Sequence, residues 1–223
     1  QEKDALGLPI LFGQLLGISA RNGQNLETNI DRTVQFIIEE TLRKDIDRYG
    51  AKAASAIVMD PKSGAILAMA SYPNYDPANF TKYPKEYYRN PLVADSYEPW
   101  SIFKVLVMAA AVNEDLVEPD TKCDSCSGPL SLGGFNIRTW NNQYRKDITM
   151  AETIIHSDNT GMVFVGKKLG LEKMYSYLEN FGIGDITNID LQDESSVDLR
   201  PKASWKEIDL ATASFGQGIS VTP

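Results

Sequence analysis

Ser101 and Lys104 stand one helical turn apart in the segment Tyr97-Glu98-Pro99-Trp100-Ser101-Ile102-Phe103-Lys104, and Ser157-Asp158-Asn159 begins 56 residues after Ser101. On a helix of 3.6 residues per turn, positions i and i+3 share a face, so the lysine amine can reach the serine hydroxyl. These residue types can transfer an acyl group through a serine ester with lysine as the base. Pro99 marks a helix start, which places Ser101 near free backbone N–H groups and the positive end of the helix dipole, where a developing oxyanion is favoured. The histidine count nearly excludes a Ser-His-Asp hydrolase. His156 is the only histidine, and it adjoins Ser157, where neighbouring side chains point apart. Any serine chemistry therefore needs another base, and Lys104 serves if burial depresses its pKa. The plainer alternative makes Ser101 an N-cap and Lys104 a snorkelling surface lysine.

The elements that must position these residues can be read from periodicity. Ile102, Phe103, Val105, Leu106, Val107, Met108 and a run of alanines make the helix after Ser101 apolar almost all round, which predicts deep burial and a desolvated Lys104. Upstream, Val34, Ile37, Ile38, Leu42 and Ile46 predict a helix over 31–49 with one buried stripe, closed by Gly50. Ala53 to Met59 and Ala65 to Ser71 read as two strands joined by the turn Asp60-Pro61-Lys62-Ser63-Gly64. Residues 72–100 are rich in Pro, Tyr and Asn without periodicity and read as a long surface connection. Residues 121–148 form an irregular insert. Helical patterns return at Met150 to Ile155, Thr160 to Leu169, Leu171 to Phe181 and Trp205 to Ala213, with a loop over 188–203. The fold class is α/β (α+β), a sheet layer begun by the hairpin beside a mostly helical subdomain carrying both motifs.

Composition narrows the field. At 223 residues, 43% hydrophobic and 23% charged, the chain suits a globular domain. A net charge of −8 and a pI near 4.8, with no Lys/Arg cluster, argue against nucleic acid as a partner. No run of 18 apolar residues appears; the stretch Ala5 to Ala20 is interrupted by Pro9, Gln14 and glycines, and Gln1-Glu2-Lys3-Asp4 is not the basic start of a signal peptide. Cys123 and Cys126 form a lone Cys-x-x-Cys with no second pair to complete a zinc site, so free thiols and a local disulfide remain the two readings, and no metal is assigned.

The short motifs are weak alone. With 16 serines, 14 lysines and 13 asparagines, about one Ser-x-x-Lys and about one Ser-x-Asn arise by chance, so their order and surroundings carry the specificity. Gly23-Gln24-Asn25-Leu26 leading into Thr28 to Gln35, the hairpin Val58 to Ser71, Tyr75-Asp76-Pro77-Ala78-Asn79, the Glu98 to Lys104 block, Ser157-Asp158-Asn159-Thr160-Gly161, Phe181-Gly182-Ile183-Gly184 and Ser214-Phe215-Gly216-Gln217-Gly218 follow one another to the end of the chain. This sequence of landmarks resembles the monofunctional (class B) penicillin-binding proteins, the peptidoglycan D,D-transpeptidases, from about residue 23 to Pro223. The resemblance implies a penicillin-binding/β-lactamase-like transpeptidase fold over 23–223, with 1–22 the end of an upstream N-terminal region.

By the same resemblance Ser101 is the nucleophile and Lys104 its base. Ser157 relays a proton towards the leaving nitrogen, and Asn159 hydrogen-bonds the substrate peptide. Trp100 and Asp158 are assigned to substrate binding, Trp100 because it stands where the family usually has Gly and makes the mouth bulkier; for Asp158 an exposed cap or a local hydrogen-bond partner is the plainer reading, ahead of a catalytic one. The implied partners are stem peptides ending in D-Ala-D-Ala, β-lactam antibiotics and other cell-wall synthesis proteins in the membrane. No metal or organic cofactor is needed. The implied place is the outer face of the cytoplasmic membrane, with the anchor outside this chain. The family's third motif, Lys-Thr/Ser-Gly, is not reached before Pro223, so the C-terminal strands are expected to be missing; Lys62-Ser63-Gly64 spells the motif but sits in a turn. Two alternatives stand beside this reading. A β-lactamase would use a water-activating glutamate, for which Glu194, 37 residues past Ser157, is the candidate. A non-catalytic penicillin-recognising sensor would need no turnover at all.

Overall fold

In the computed structural model, Leu6 and residues 22–223 are described; apart from Leu6 and Asn22, the upstream region expected over 1–22 lies outside the described residues. Helix α1 (Arg32–Tyr49) starts where the Asp31 carboxylate accepts from the N–H groups of Thr33 and Val34, and it ends at Gly50 in the left-handed conformation. It lies on the antiparallel hairpin β1 (Ala54–Met59) and β2 (Ile66–Tyr72), where Ala54 faces Tyr72 and Val58 faces Ala68. The Gln35 side chain clamps the two layers together, accepting from Met69 N–H at 2.8 Å and donating to Met69 C=O at 2.9 Å. Of the predicted stripe, Ile46 is buried and Val34, Ile38 and Leu42 are half-buried, but Ile37 is 54% exposed. A two-stranded ribbon is narrower than a helix with its side chains, so the edge of the stripe is left uncovered.

The Lys62-Ser63-Gly64 segment is a turn. Asp60 accepts from Lys62 N–H and Ser63 Oγ through its carboxylate and from Gly64 N–H through its carbonyl. The connection over 72–100 is more ordered than predicted. Two short 3-10 turns, Pro77–Lys82 and Lys85–Tyr88, precede α2 (Pro91–Ala94), whose Leu92, Val93 and Ala94 are buried. Its prolines start helical turns, because Asp76 and Asn90 cap them with Pro at the first position, where the missing N–H costs nothing.

A 3-10 turn, Trp100–Phe103, runs into α3 (Lys104–Asn113). Here too the prediction needs correction. Phe103, Lys104, Val107, Ala110 and Ala111 are buried, whereas Ile102 is 67% and Val105 60% exposed. The buried side packs against α5, whereas Ile102, Val105 and Val112 on the remaining surface are exposed.

The insert at 121–148 contains the hairpin β3 (Leu130–Leu132) and β4 (Phe135–Ile137), turned by Gly133 and Gly134, both at positive φ as a two-residue hairpin requires. Cys123 and Cys126 are joined in a disulfide with both residues fully buried, which settles the two readings of this pair. Helices α4 (Met150–Ile155), α5 (Asn159–Asn180, broken at Gly170) and α6 (Glu207–Ala213) complete the helical layer. Val107, Met162, Val165, Met174, Leu178 and Phe215 form the centre of its core.

Candidate active site

Three segments converge on Ser101. The first is the approach to α3. Tyr97 and Val221 exchange backbone hydrogen bonds of 2.9 and 3.0 Å, Gly218 N–H donates to the Glu98 carboxylate at 3.0 Å, and Trp100 N–H donates to Gly216 C=O at 2.9 Å. Residues 97–100 are thus fastened to 216–221, which fixes the direction from which the nucleophile helix starts. Trp100 sits at φ +53, a left-handed conformation rare outside glycine and characteristic of positions held by their surroundings.

The second segment is the turn between α4 and α5. Thr149 and Glu152 form a capping box at the start of α4, and Ser157 leaves the helix at φ +52. Asp158 then caps α5, its carboxylate accepting from Gly161 N–H at 3.0 Å and Thr160 Oγ1 at 2.7 Å. This arrangement presents Ser157 and Asn159 towards α3. The third segment follows β4. Arg138 C=O accepts from Asn159 Nδ2 at 2.8 Å, and Trp140 Nε1 donates to His156 C=O at 3.3 Å, so the hairpin insert braces the second motif.

Lys104 joins the two motifs. Its Nζ donates to Ser157 C=O at 2.8 Å, Ser157 Oγ at 3.0 Å and Asn159 Oδ1 at 2.7 Å. Those are the three donors an ammonium has. At 2% exposure, burial pushes the Lys104 pKa down to about 8 from the ordinary 10.5, while the nearby Asp158 carboxylate pulls the other way. Desolvation wins, and about a tenth of the amine is neutral at pH 7, far more than at the ordinary value. Ser101 is exposed, and neither its hydroxyl nor its N–H has a partner among the described residues. The base therefore rests on the second motif, one helical turn from an unencumbered hydroxyl. Resting hydrogen bonds of this kind commonly re-form when substrate arrives.

Trp100 is 58% exposed beside Ser101, where a ligand can reach it. Asp158 is placed differently from its assignment to substrate binding. It is 1% exposed and committed to the helix cap, with Oδ2 buried and unpartnered; its role here is to hold the turn and to set the field at Lys104. Glu194 lies apart from these residues. Its carboxylate accepts from Thr187 N–H and Oγ1, which holds it below the usual carboxylate range, and it lines a cavity with Met59, Met69 and Pro223 rather than with Ser101 or Ser157. Among the described residues no cluster of His, Cys, Asp or Glu has the arrangement of a metal site.

Sequence reasoning names Gly216 within a landmark but gives it no part in the site. It has φ +81, and a Cβ there would lie 2.1 Å from Trp100 C=O, so the backbone can approach the nucleophile turn only without a side chain. The closely spaced glycines 216 and 218 were the available signal. Gly216→Ala is expected to lower the rate of penicillin acylation at least tenfold and to destabilise the domain by about 1–3 kcal/mol, read from acylation kinetics and urea unfolding of the same sample.

Residues 54–223 match the family model for the penicillin-binding protein transpeptidase domain, and the chain belongs to that family. Among its relatives, stage V sporulation protein D of Bacillus subtilis is 36% identical over 204 residues, which is 91% of this chain and 32% of the relative. The peptidoglycan D,D-transpeptidase FtsI of Escherichia coli is 30% identical over 216 residues, 95% of this chain and 36% of the relative. The chain therefore spans about a third of the length of these curated relatives. Of solved structures, penicillin-binding protein 3 of Mycobacterium tuberculosis complexed with aztreonam superposes with a TM-score of 0.81 at 28% identity, covering 86% of this chain and 43% of that one. The fold is the penicillin-binding transpeptidase fold.

Proposed function

We propose that the whole protein is a peptidoglycan D,D-transpeptidase working through a serine acyl-enzyme. The observation that carries the reading is the buried Lys104, bonded to Ser157 and Asn159 one helical turn from a free Ser101 hydroxyl. Ser101 Oγ attacks the carbonyl of the penultimate D-Ala as neutral Lys104 takes its proton. The amide C–N bond breaks, and D-Ala leaves with a proton returned through Ser157 Oγ. An amine of a second stem peptide then attacks the ester, and Ser101 is regenerated. Asn159, held by Arg138 C=O, positions the peptide through its amide, and the unpartnered Ser101 N–H is one donor for the oxyanion. Asp158 acts indirectly, as the cap beneath this turn. β-Lactams acylate Ser101 because their strained amide mimics the D-Ala-D-Ala bond, in keeping with the aztreonam complex of the mycobacterial relative.

Stem peptides and β-lactams are then the ligands, and other cell-wall synthesis proteins the partners, on the extracytoplasmic face of the membrane. No helix among the described residues is long and apolar enough to cross a membrane, so the described residues do not themselves supply a helical anchor. The domain would begin near residue 23.

Deacylation separates this reading from a β-lactamase. With the Glu194 carboxylate held by Thr187 rather than placed at Ser101 among the described residues, the penicilloyl-enzyme is expected to persist for minutes or longer, and Glu194→Gln should leave its lifetime unchanged. Intact mass followed over time after removal of free penicillin measures both. Rapid loss of the adduct, restored to persistence by Glu194→Gln, would transfer the assignment to hydrolysis.

A further inference from the structure

Asp158 carries the only buried carboxylate among the described residues, and the reaction written above gives it no proton to move. At 1% exposure its Oδ1 accepts from two neutral donors, Gly161 N–H at 3.0 Å and Thr160 Oγ1 at 2.7 Å, and its Oδ2 has no partner among the described residues. Its backbone is fixed as well, with the N–H donating to Thr153 C=O at 2.9 Å. Among the described residues Lys104 is the other buried charged group. Its ammonium is bonded to Ser157 and Asn159, the residues immediately before and after Asp158, yet the two charges form no ion pair among the described residues. A cation and an anion fixed this close together with little water between them interact far more strongly than they would at the surface.

The other charged groups on the surrounding elements are engaged elsewhere. Glu98 accepts from Gly218 N–H, and Glu152, with His156 bearing on it, closes the capping box of α4. On α5, Lys167 pairs with Glu207 and Lys173 with Glu114. Asp158 is the charged group whose field reaches Lys104, where it opposes the desolvation. Burial without a countercharge would lower the basicity of the amine further, leaving more of it neutral but each neutral amine less able to take a proton. We propose that Asp158 is a positioning residue for the proton cycle: its capped, buried carboxylate is the fixed countercharge that lets Lys104 hold the Ser101 proton as an ammonium until Ser157 passes it to the leaving nitrogen. The inference rests on the reading of Lys104 as the base and adds to it the group that sets its basicity.

The test uses the whole protein and the pH profile of its acylation by penicillin. Asp158→Asn keeps an oxygen acceptor for the cap and removes the charge, and Asp158→Ser, also a cap-forming residue, does the same with a different shape. In both variants the midpoint of the rising limb is expected to move down from about 8 by about one pH unit, with a lower plateau above it. A merely structural role would not move the midpoint. If the limb stays where it is in a variant that urea unfolding shows to be folded, and the rate is lower at every pH, Asp158 acts as a cap alone and the inference is overturned. It is overturned equally by a limb that moves upward, or by loss of the folded state in both variants, which would assign the carboxylate to stability. A rising limb that survives Lys104→Met would instead remove the base assignment on which the inference rests.

Discussion

Ser101→Ala eliminates the covalent adduct between penicillin and the whole protein: intact mass shows no drug addition at times when the unaltered protein is fully modified. The effect is all-or-none because no other hydroxyl in the site can take its place. Ser101 alone stands one turn before a lysine, exposed at the start of a helix with its N–H free to meet an oxyanion. Ser157, the other candidate, holds Lys104 through both its carbonyl and its hydroxyl and sits at φ +52, so its oxygen is engaged and its backbone is fixed. An adduct that survived Ser101→Ala and mapped to Ser157 would reverse the two roles. A protein that is labelled at Ser101 but never releases D-Ala from peptides would be the penicillin-recognising sensor. Labelling and turnover together therefore separate the two alternatives to the transpeptidase.

The parts of this site that lie on one stretch of chain were legible in the sequence, because local rules govern them. Asp31 and Gly50 at the ends of α1 announce themselves by residue type. So does the turn at Asp60 to Gly64, whose Lys62-Ser63-Gly64 spelling was set aside on context alone. Ser101 and Lys104 lie one turn apart where a 3-10 turn runs into α3, and their spacing is sufficient to put them on one face. What the sequence could not supply was the closure of three distant segments on one another. Nothing local tells that Arg138 C=O meets the Asn159 amide 21 residues later, or that Trp100 N–H meets Gly216 C=O more than a hundred residues on. Asp158 is legible as a cap or local hydrogen-bond partner, but its burial is not. Its Oδ1 accepts from Thr160 and Gly161, two and three residues on, as a cap's does, and the packing that buries it comes from residues distant in the chain. The burial of α3 was overstated because apolar residues on every side show that a helix can be covered all round, without showing what covers it.

Lys104→Met lowers the rate of penicillin acylation by roughly 10²–10⁴-fold, the range of a lost general base, while Ser101 remains in place. The pH profile identifies the lysine as that base. In the unaltered protein acylation rises with pH through about 8, since only the neutral amine can take the Ser101 proton and burial brings its pKa down to about 8. The Met variant should lose this limb, and Lys104→Arg, charged at every accessible pH, should stay slow even where the unaltered protein is fastest. Stability gives an independent reading of the same group with a definite sign. Between about 8 and the ordinary 10.5, the unfolded chain holds the Lys104 proton and the folded one has released it, so stability gains with rising pH across that window. Below about 8 the folded state carries a buried ammonium, and the gain is absent. Urea midpoints measured for the unaltered protein and for Lys104→Met should therefore diverge in favour of the lysine as pH rises from about 8 towards 10.5. A constant difference across that range would show that Lys104 keeps an ordinary pKa, and a base poised near neutrality would have to be sought elsewhere.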